Sequence, residues 1–185
     1  MNASNLLKVK SVIRDIDMTW AKDLLDSVLA LDSPYIIQST LNLALKEDEC
    51  SQAVSYIEKY KLDGIDIDWE SPVIGGYKNH KAQEQDKDNF TKLMKELRTT
   101  LPSNCELSFD ANSFETFIQK SIDWKAVIPW VDYVNLMTYG LPGNVPRTTA
   151  HHCPLYSSPS QKESADRGIN ELLNLGVPPE KIIIG

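Results

Sequence analysis

The stretch Leu62-Asp63-Gly64-Ile65-Asp66-Ile67-Asp68-Trp69-Glu70-Ser71-Pro72 decides the fold. Asp66, Asp68 and Glu70 alternate with Ile65, Ile67 and Trp69. Successive side chains of a β-strand point to opposite faces, so residues two apart share a face and stand roughly 6.5 Å apart. The carboxyls therefore climb one side, while the apolar residues go to the other, where covering helices would bury them. Ser71-Pro72 ends the strand, which leaves Glu70 at its C-terminal rim. In a parallel α/β fold that rim is where active sites are built.

Working outward, helical and strand patterns alternate. Strand character is found at Lys8–Ile13, Leu62–Trp69, Glu106–Ala111, Val131–Thr138 and Lys181–Ile184. Between them, Trp20, Leu24, Val28 and Leu31 keep a helical spacing, as do Val54, Ile57 and Tyr60. Phe90, Leu93, Met94, Leu97 and Leu101 form a third stripe, closed by Pro102. A fourth helix is expected from Gln161 to Leu175, with Ile169, Leu172 and Leu173 inward and Gly176 as its C-terminal cap. This alternation predicts right-handed βαβ units and a parallel sheet, either a doubly wound open sheet or a (β/α)8 barrel. No Gly-rich phosphate loop follows a strand, which weakens the nucleotide-binding version.

Composition narrows the partners. The chain has 185 residues, 42% apolar and 24% charged, and a net charge of −7. That charge argues against nucleic acid or an anionic membrane surface. No apolar run approaches the roughly 20 residues of a membrane span. The start, Met1 to Lys10, lacks the apolar segment of a signal peptide, so the protein is cytosolic or its gene product begins elsewhere. Cys50, Cys105 and Cys153 are an odd set without metal-type spacing; one disulfide remains open if the protein is secreted. Sequons at Asn2 and Asn89 are of a kind that chance supplies often.

Stacked carboxyls repel, so they share protons and at least one keeps a raised pKa, as a general acid requires. That assigns Glu70 as acid, Asp68 as its proton partner and Asp66 as the buried support. A calcium loop counted from Asp66 fails, because Ser71 stands where Gly is wanted and Tyr77 where Glu is wanted. Asp110, near the end of the strand in Leu107-Ser108-Phe109-Asp110-Ala111, has either a structural or a functional role. His151, His152 and Cys153 are neighbours that face apart, with no further ligand evident, so no metal site is expected.

Asp63 to Glu70 resembles the D-G-x-D-x-D-x-E signature of the family 18 glycoside hydrolases, the chitinases and chitinase-like proteins, at all five specified positions. Asp132 to Gly140, DYVNLMTYG, resembles their sixth strand, which ends in M-x-Y-D; HHCPLY (151–156) resembles the following loop. GVPPEKIIIG (176–185) resembles the approach to their seventh strand. LKVKSVIRD (7–15) is similar to their third strand, L-K-V-L-L-S-I-G-G, but Ile13 and Arg14 stand where the family has the glycines of its S-x-G-G motif.

The resemblance implies a partial (β/α)8 TIM barrel with the third to seventh strands present. Strands one, two and eight fall outside it, including the Trp that floors the sugar site, and little or no activity is expected of these 185 residues alone. It further implies hydrolysis of chitin or chitooligosaccharides, without a cofactor, by an extracellular protein that is a monomer when complete. In the family the substrate assists: its 2-acetamido group attacks its own anomeric carbon, and configuration is retained. Carried over, Glu70 protonates the glycosidic oxygen, Asp68 turns from Asp66 to the acetamido nitrogen, and Tyr139 donates to the acetamido oxygen. Met137, Trp69 and Asp110 are further candidates for contact with the sugar. Trp69 and Trp130 either stack on sugar rings or bury against a helix. Gly140 replaces the family's Asp after the tyrosine and removes a carboxylate that contacts the sugar. The competing readings are a chitinase-like lectin that binds without cutting, an endo-glycosidase acting on N-glycans, and a fragment without stable function.

Overall fold

The computed structural model describes residues 54, 57–75, 82–142 and 149–185. The strand expected at Lys8–Ile13, the helix carrying Trp20 to Leu31, Cys50 and the Asn2 sequon lie outside these residues. Of the helix carrying Val54, Ile57 and Tyr60, position 54 and residues 57–60 are described and are helical.

Four strands form one sheet: β1 (Gly64–Ile67), β2 (Glu106–Asn112), β3 (Tyr133–Met137) and β4 (Ile182–Ile184). They lie side by side in chain order, every pair parallel. Sequential parallel neighbours with a helical crossover each time fit a segment of barrel wall, and the reversal of strand order that marks a doubly wound sheet does not occur among these four strands. Helix α1 (Asp86–Thr100) links β1 to β2, and α4 (Ala165–Asn174) precedes β4. Two short helices, α2 (Glu115–Lys120) and α3 (Trp124–Val127), link β2 to β3.

The core lies between the sheet and these helices. Ile65, Ile67, Leu107, Phe109, Ala111, Val134 and Leu136 leave the strands on that side, and Phe90, Leu93, Met94 and Leu97 of α1 meet them. An aromatic chain runs through it: Phe90 and Phe109 are edge to face at 5.1 Å, and Phe109 lies 6.1 Å from Trp124. Such a geometry adds about 0.5–1.5 kcal/mol to the area that each ring buries.

Local chemistry explains where the boundaries differ from the sequence pattern. The expected helix start at Gln161 moves to Ala165, because the main chain of Gln161 pairs with Ser158 and the Ser164 hydroxyl caps the helix by accepting from Arg167 N–H. At the other end Gly176 has φ +87°, Gly176 N–H donates to Leu173 C=O and Val177 N–H to Leu172 C=O. This is a Schellman cap, sealed by the buried Leu172 and Val177. Helices α2 and α3, of 6 and 4 residues, are too short to show a 3.6-residue period. Asn89 of the second sequon sits within α1 at 3% exposure, a position closed to a glycan in the folded chain.

Candidate active site

The opposite face of the sheet carries the polar residues. Asp66 on β1, Ser108 and Asp110 on β2, and Asn135 on β3 all project there, partly exposed. Alternation continues past the end of β1, with Trp69 buried and Asp68 and Glu70 partly exposed. Gly64 lets β1 sit this close to β2: a Cβ there would stand 2.3 Å from the Glu106 carbonyl oxygen.

Asp66 is the best-satisfied of the carboxyls. Asn135 Nδ2 donates to its Oδ1 at 2.7 Å, the Ser108 hydroxyl donates to the same oxygen, and it shares a side-chain hydrogen bond with Asp110. Burial raises its pKa, and those three hydrogen bonds oppose the rise by favouring the charged form. Asp68 has fewer compensations: its Oδ1 is buried with no hydrogen-bond partner. Burial first, then the charges of Glu70 and Asp66, push its pKa up to about 7. Burial likewise raises Glu70. Asp110 is pushed up to about 8 by burial, by the charges of Asp66 and Asp68 and by donation to Asp66, against a lowering contact with Asn135. This set can therefore hold protons at neutral pH, the state that proton donation requires.

Tyr139 stands at the end of β3, 47% exposed. Burial and then the charges of Asp110, Asp68, Glu70 and Asp66 raise its pKa, so it remains a phenol able to donate. Met137 lies on the polar side of β3 in register with Asn112. Gly140 follows at φ +68° with open space around its missing side chain, and its N–H donates to His152 Nε2 at 3.3 Å.

Trp69 takes the packing role of the two weighed for it, not the sugar contact. It is 3% exposed, on the helix side of the sheet, with its ring 6.0 Å from that of Phe90. Trp130 lies in a 3-10 turn, partly buried against the core, with Lys95 Nζ 5.2 Å from its ring centre.

A supporting layer escaped sequence reasoning. Beyond Glu70, joined to it by a cis peptide, Ser71 and Pro72 are buried, and the Ser121 hydroxyl donates to Pro72 C=O at 2.6 Å. Buried Asp86 at the start of α1 accepts from Gln83 N–H at 2.8 Å and from Val73 N–H at 3.4 Å. These bonds fix the turn that carries Glu70 at the rim. Ser108 and Asn135 were also missed, although the alternation in LSFDA and YVNLM puts both on the face of Asp110 and Met137.

A family model, Glycosyl hydrolases family 18, matches residues 40–185. Probable chitinase 2 of Drosophila melanogaster is 33% identical over 72% of this chain and 27% of its own length. Among solved structures, the chitinase ChiW from a Paenibacillus strain superposes with TM-score 0.66 and 38% identity, covering 72% of this chain and 16% of that one. Catalytic domain 2 of the Ostrinia furnacalis Group II chitinase, a mutant in complex with penta-N-acetylchitooctaose, gives TM-score 0.68 and 27% identity over 74% and 37% of the respective chains. The chain thus spans about a quarter of the Drosophila relative. The four parallel strands are the corresponding part of a (β/α)8 barrel wall.

Proposed function

Because this chain belongs to glycosyl hydrolase family 18, we propose that the protein containing it hydrolyses β-1,4-linked N-acetylglucosamine polymers, chitin or chitooligosaccharides, with retention of configuration. The observation that carries this reading is the carboxyl ladder Asp66, Asp68 and Glu70, with raised pKa at each and a buried, unpartnered oxygen on Asp68. An unpaired buried oxygen costs about 1–3 kcal/mol, which a ligand N–H arriving there would recover. The substrate's acetamido nitrogen is such a donor.

Each residue then has one task. Glu70, whose pKa burial raises toward the protonated form, gives its proton to the glycosidic oxygen as the bond to the anomeric carbon breaks. The acetamido oxygen of the same sugar attacks that carbon, so the protein supplies no nucleophile. Asp68 accepts from the acetamido N–H and Tyr139 donates to the acetamido oxygen, both aimed at charge that develops in the transition state. Water then opens the cyclic intermediate from the face that the leaving group left, with Glu70 taking its proton. Location outside the cell agrees with a polymeric substrate.

The test is product analysis with the full-length protein and N-acetylglucosamine oligomers. Proton NMR of the first-formed product should show the β-anomer; the α-anomer, or no cleavage, refutes the reading. A second reading, sugar binding without cleavage, is favoured by Gly140, which leaves the sugar without a carboxylate at that position. Tight oligomer binding with no products would establish it.

A further inference from the structure

Asp110 brings a fourth carboxyl to a ladder of three, and its placement is specific. Register pairs Asp66 with Ser108 and Asp110 with Asn135, so Asp110 stands one step further along β2 toward Asp68. Asn135 donates to Asp66 at 2.7 Å and also hydrogen-bonds Asp110. Asp66 and Asp110 are themselves hydrogen-bonded through their side chains. Two carboxyl groups can share a hydrogen bond only if one carries the proton. Ser108 and Asn135 both donate to Asp66, which favours the ionised form there, so the proton belongs on Asp110.

We infer that Asp110 is a positioning residue: a neutral carboxyl that donates to Asp66, completes its hydrogen bonding together with Ser108 and Asn135, and thereby leaves Asp68 free to face the substrate. Asp66 acts on Asp68 through charge, while its hydrogen bonds go to the other three residues. The buried Oδ1 of Asp68 without a partner is what this arrangement produces. Were Asp110 absent, Asp66 would lack one donor, and Asp68 is the neighbouring carboxyl able to supply it. Asp68 would then have to break that bond on each binding event before it could accept from a ligand. The burial and charges that push Asp110 up to about 8 keep it protonated through neutral pH. Among the described residues, the titratable groups facing it are Asp66, Asp68 and Glu70 from β1 and its extension, and Tyr133 and Tyr139 from β3 and its end.

The inference rests on the reading of the site proposed above, and the experiment separates the two. In the full-length protein, carbon-13 NMR of the aspartate carboxyls is followed from pH 5 to 9, with Asp110→Asn identifying the Asp110 signal. Asp66 should be ionised and Asp110 protonated at pH 7. Asp110→Ala should raise the pH at which Asp68 titrates and lower kcat about tenfold to a hundredfold with KM little changed, because one hydrogen bond to a charged group is lost. Asp110→Asn, whose amide still donates, should recover most of that loss and keep it above pH 8, where the wild type releases the proton. Asp110 ionised at pH 6, a kinetically silent Asp110→Ala, or an Asn variant as impaired as the Ala variant overturns the inference. If the wild type cleaves no oligomer, the proposed function fails, and the titration alone decides whether Asp110 holds the proton.

Discussion

Gly64→Ala tests the site's foundation, because the space for one methyl group can be measured. The new Cβ would stand 2.3 Å from the carbonyl oxygen of Glu106, 2.8 Å from its carbon and 2.9 Å from its Cα. All three are backbone atoms, so no side chain can swing aside. Relief to an ordinary contact of about 3.5 Å moves the base of β1 roughly 1.2 Å from β2. The bond from Glu106 N–H to Asp63 C=O, 2.9 Å long, crosses this same point and would be stretched beyond hydrogen-bonding range. A lost backbone bond and disturbed packing of Ile65 together cost about 2–4 kcal/mol. For a domain of this kind that lowers Tm by about 5–15 °C, readable by near-ultraviolet circular dichroism of the full-length protein. Gly176→Ala is the comparison, since it has φ +87° and nothing within 4 Å of an added Cβ. Its cost is the left-handed backbone alone, about 1–2 kcal/mol. A Gly64→Ala protein that melts no lower than Gly176→Ala would refute the close-approach argument.

The lumen gives two further expectations. Asn135→Ala removes the 2.7 Å donor to Asp66, so Asp66 should titrate at higher pH and kcat should fall about tenfold; an unchanged carbon-13 titration of Asp66 would contradict this. Stability should decline as pH rises. Asp68 and Asp110, at about 7 and about 8, hold protons in the fold that the unfolded chain releases near pH 4, so their stabilising contribution is complete below pH 4 and is lost as pH climbs through 7 to 8. Thermal melts at pH 5 and 9 should show a larger fall for the wild type than for the Asp68→Asn, Asp110→Asn double variant, and equal falls would count against it.

How legible all this was in the sequence depended on how far each feature is set by local pattern. A period of two with charges on one side and Ile, Ile and Trp on the other has few structural realisations, so β1 and its polar face could be read directly. The stripe from Phe90 to Leu97 and the Gly176 cap were legible for the same reason. Less was visible where long-range partners decide. Ser121 contacts Pro72 across 49 residues and Asn135 contacts Asp66 across 69, and nothing local announces either pairing. Gln161 falls within the helical pattern, but a main-chain pairing with Ser158 claims it. Trp69 shows the converse: its alternation with Asp68 already placed it on the buried face, and that pattern outweighs an aromatic's aptitude for sugar stacking.

The account's central claim is that Glu70, at the rim of the sheet, delivers the proton that breaks the glycosidic bond. The direct measurement is turnover of an N-acetylglucosamine oligomer by the full-length Glu70→Gln variant, with oligomer affinity measured alongside by calorimetry. The amide keeps the shape of the side chain and has no proton to give at this pH. Turnover should fall about 10²- to 10⁴-fold while affinity changes little. Turnover within a few-fold of wild type would contradict the claim.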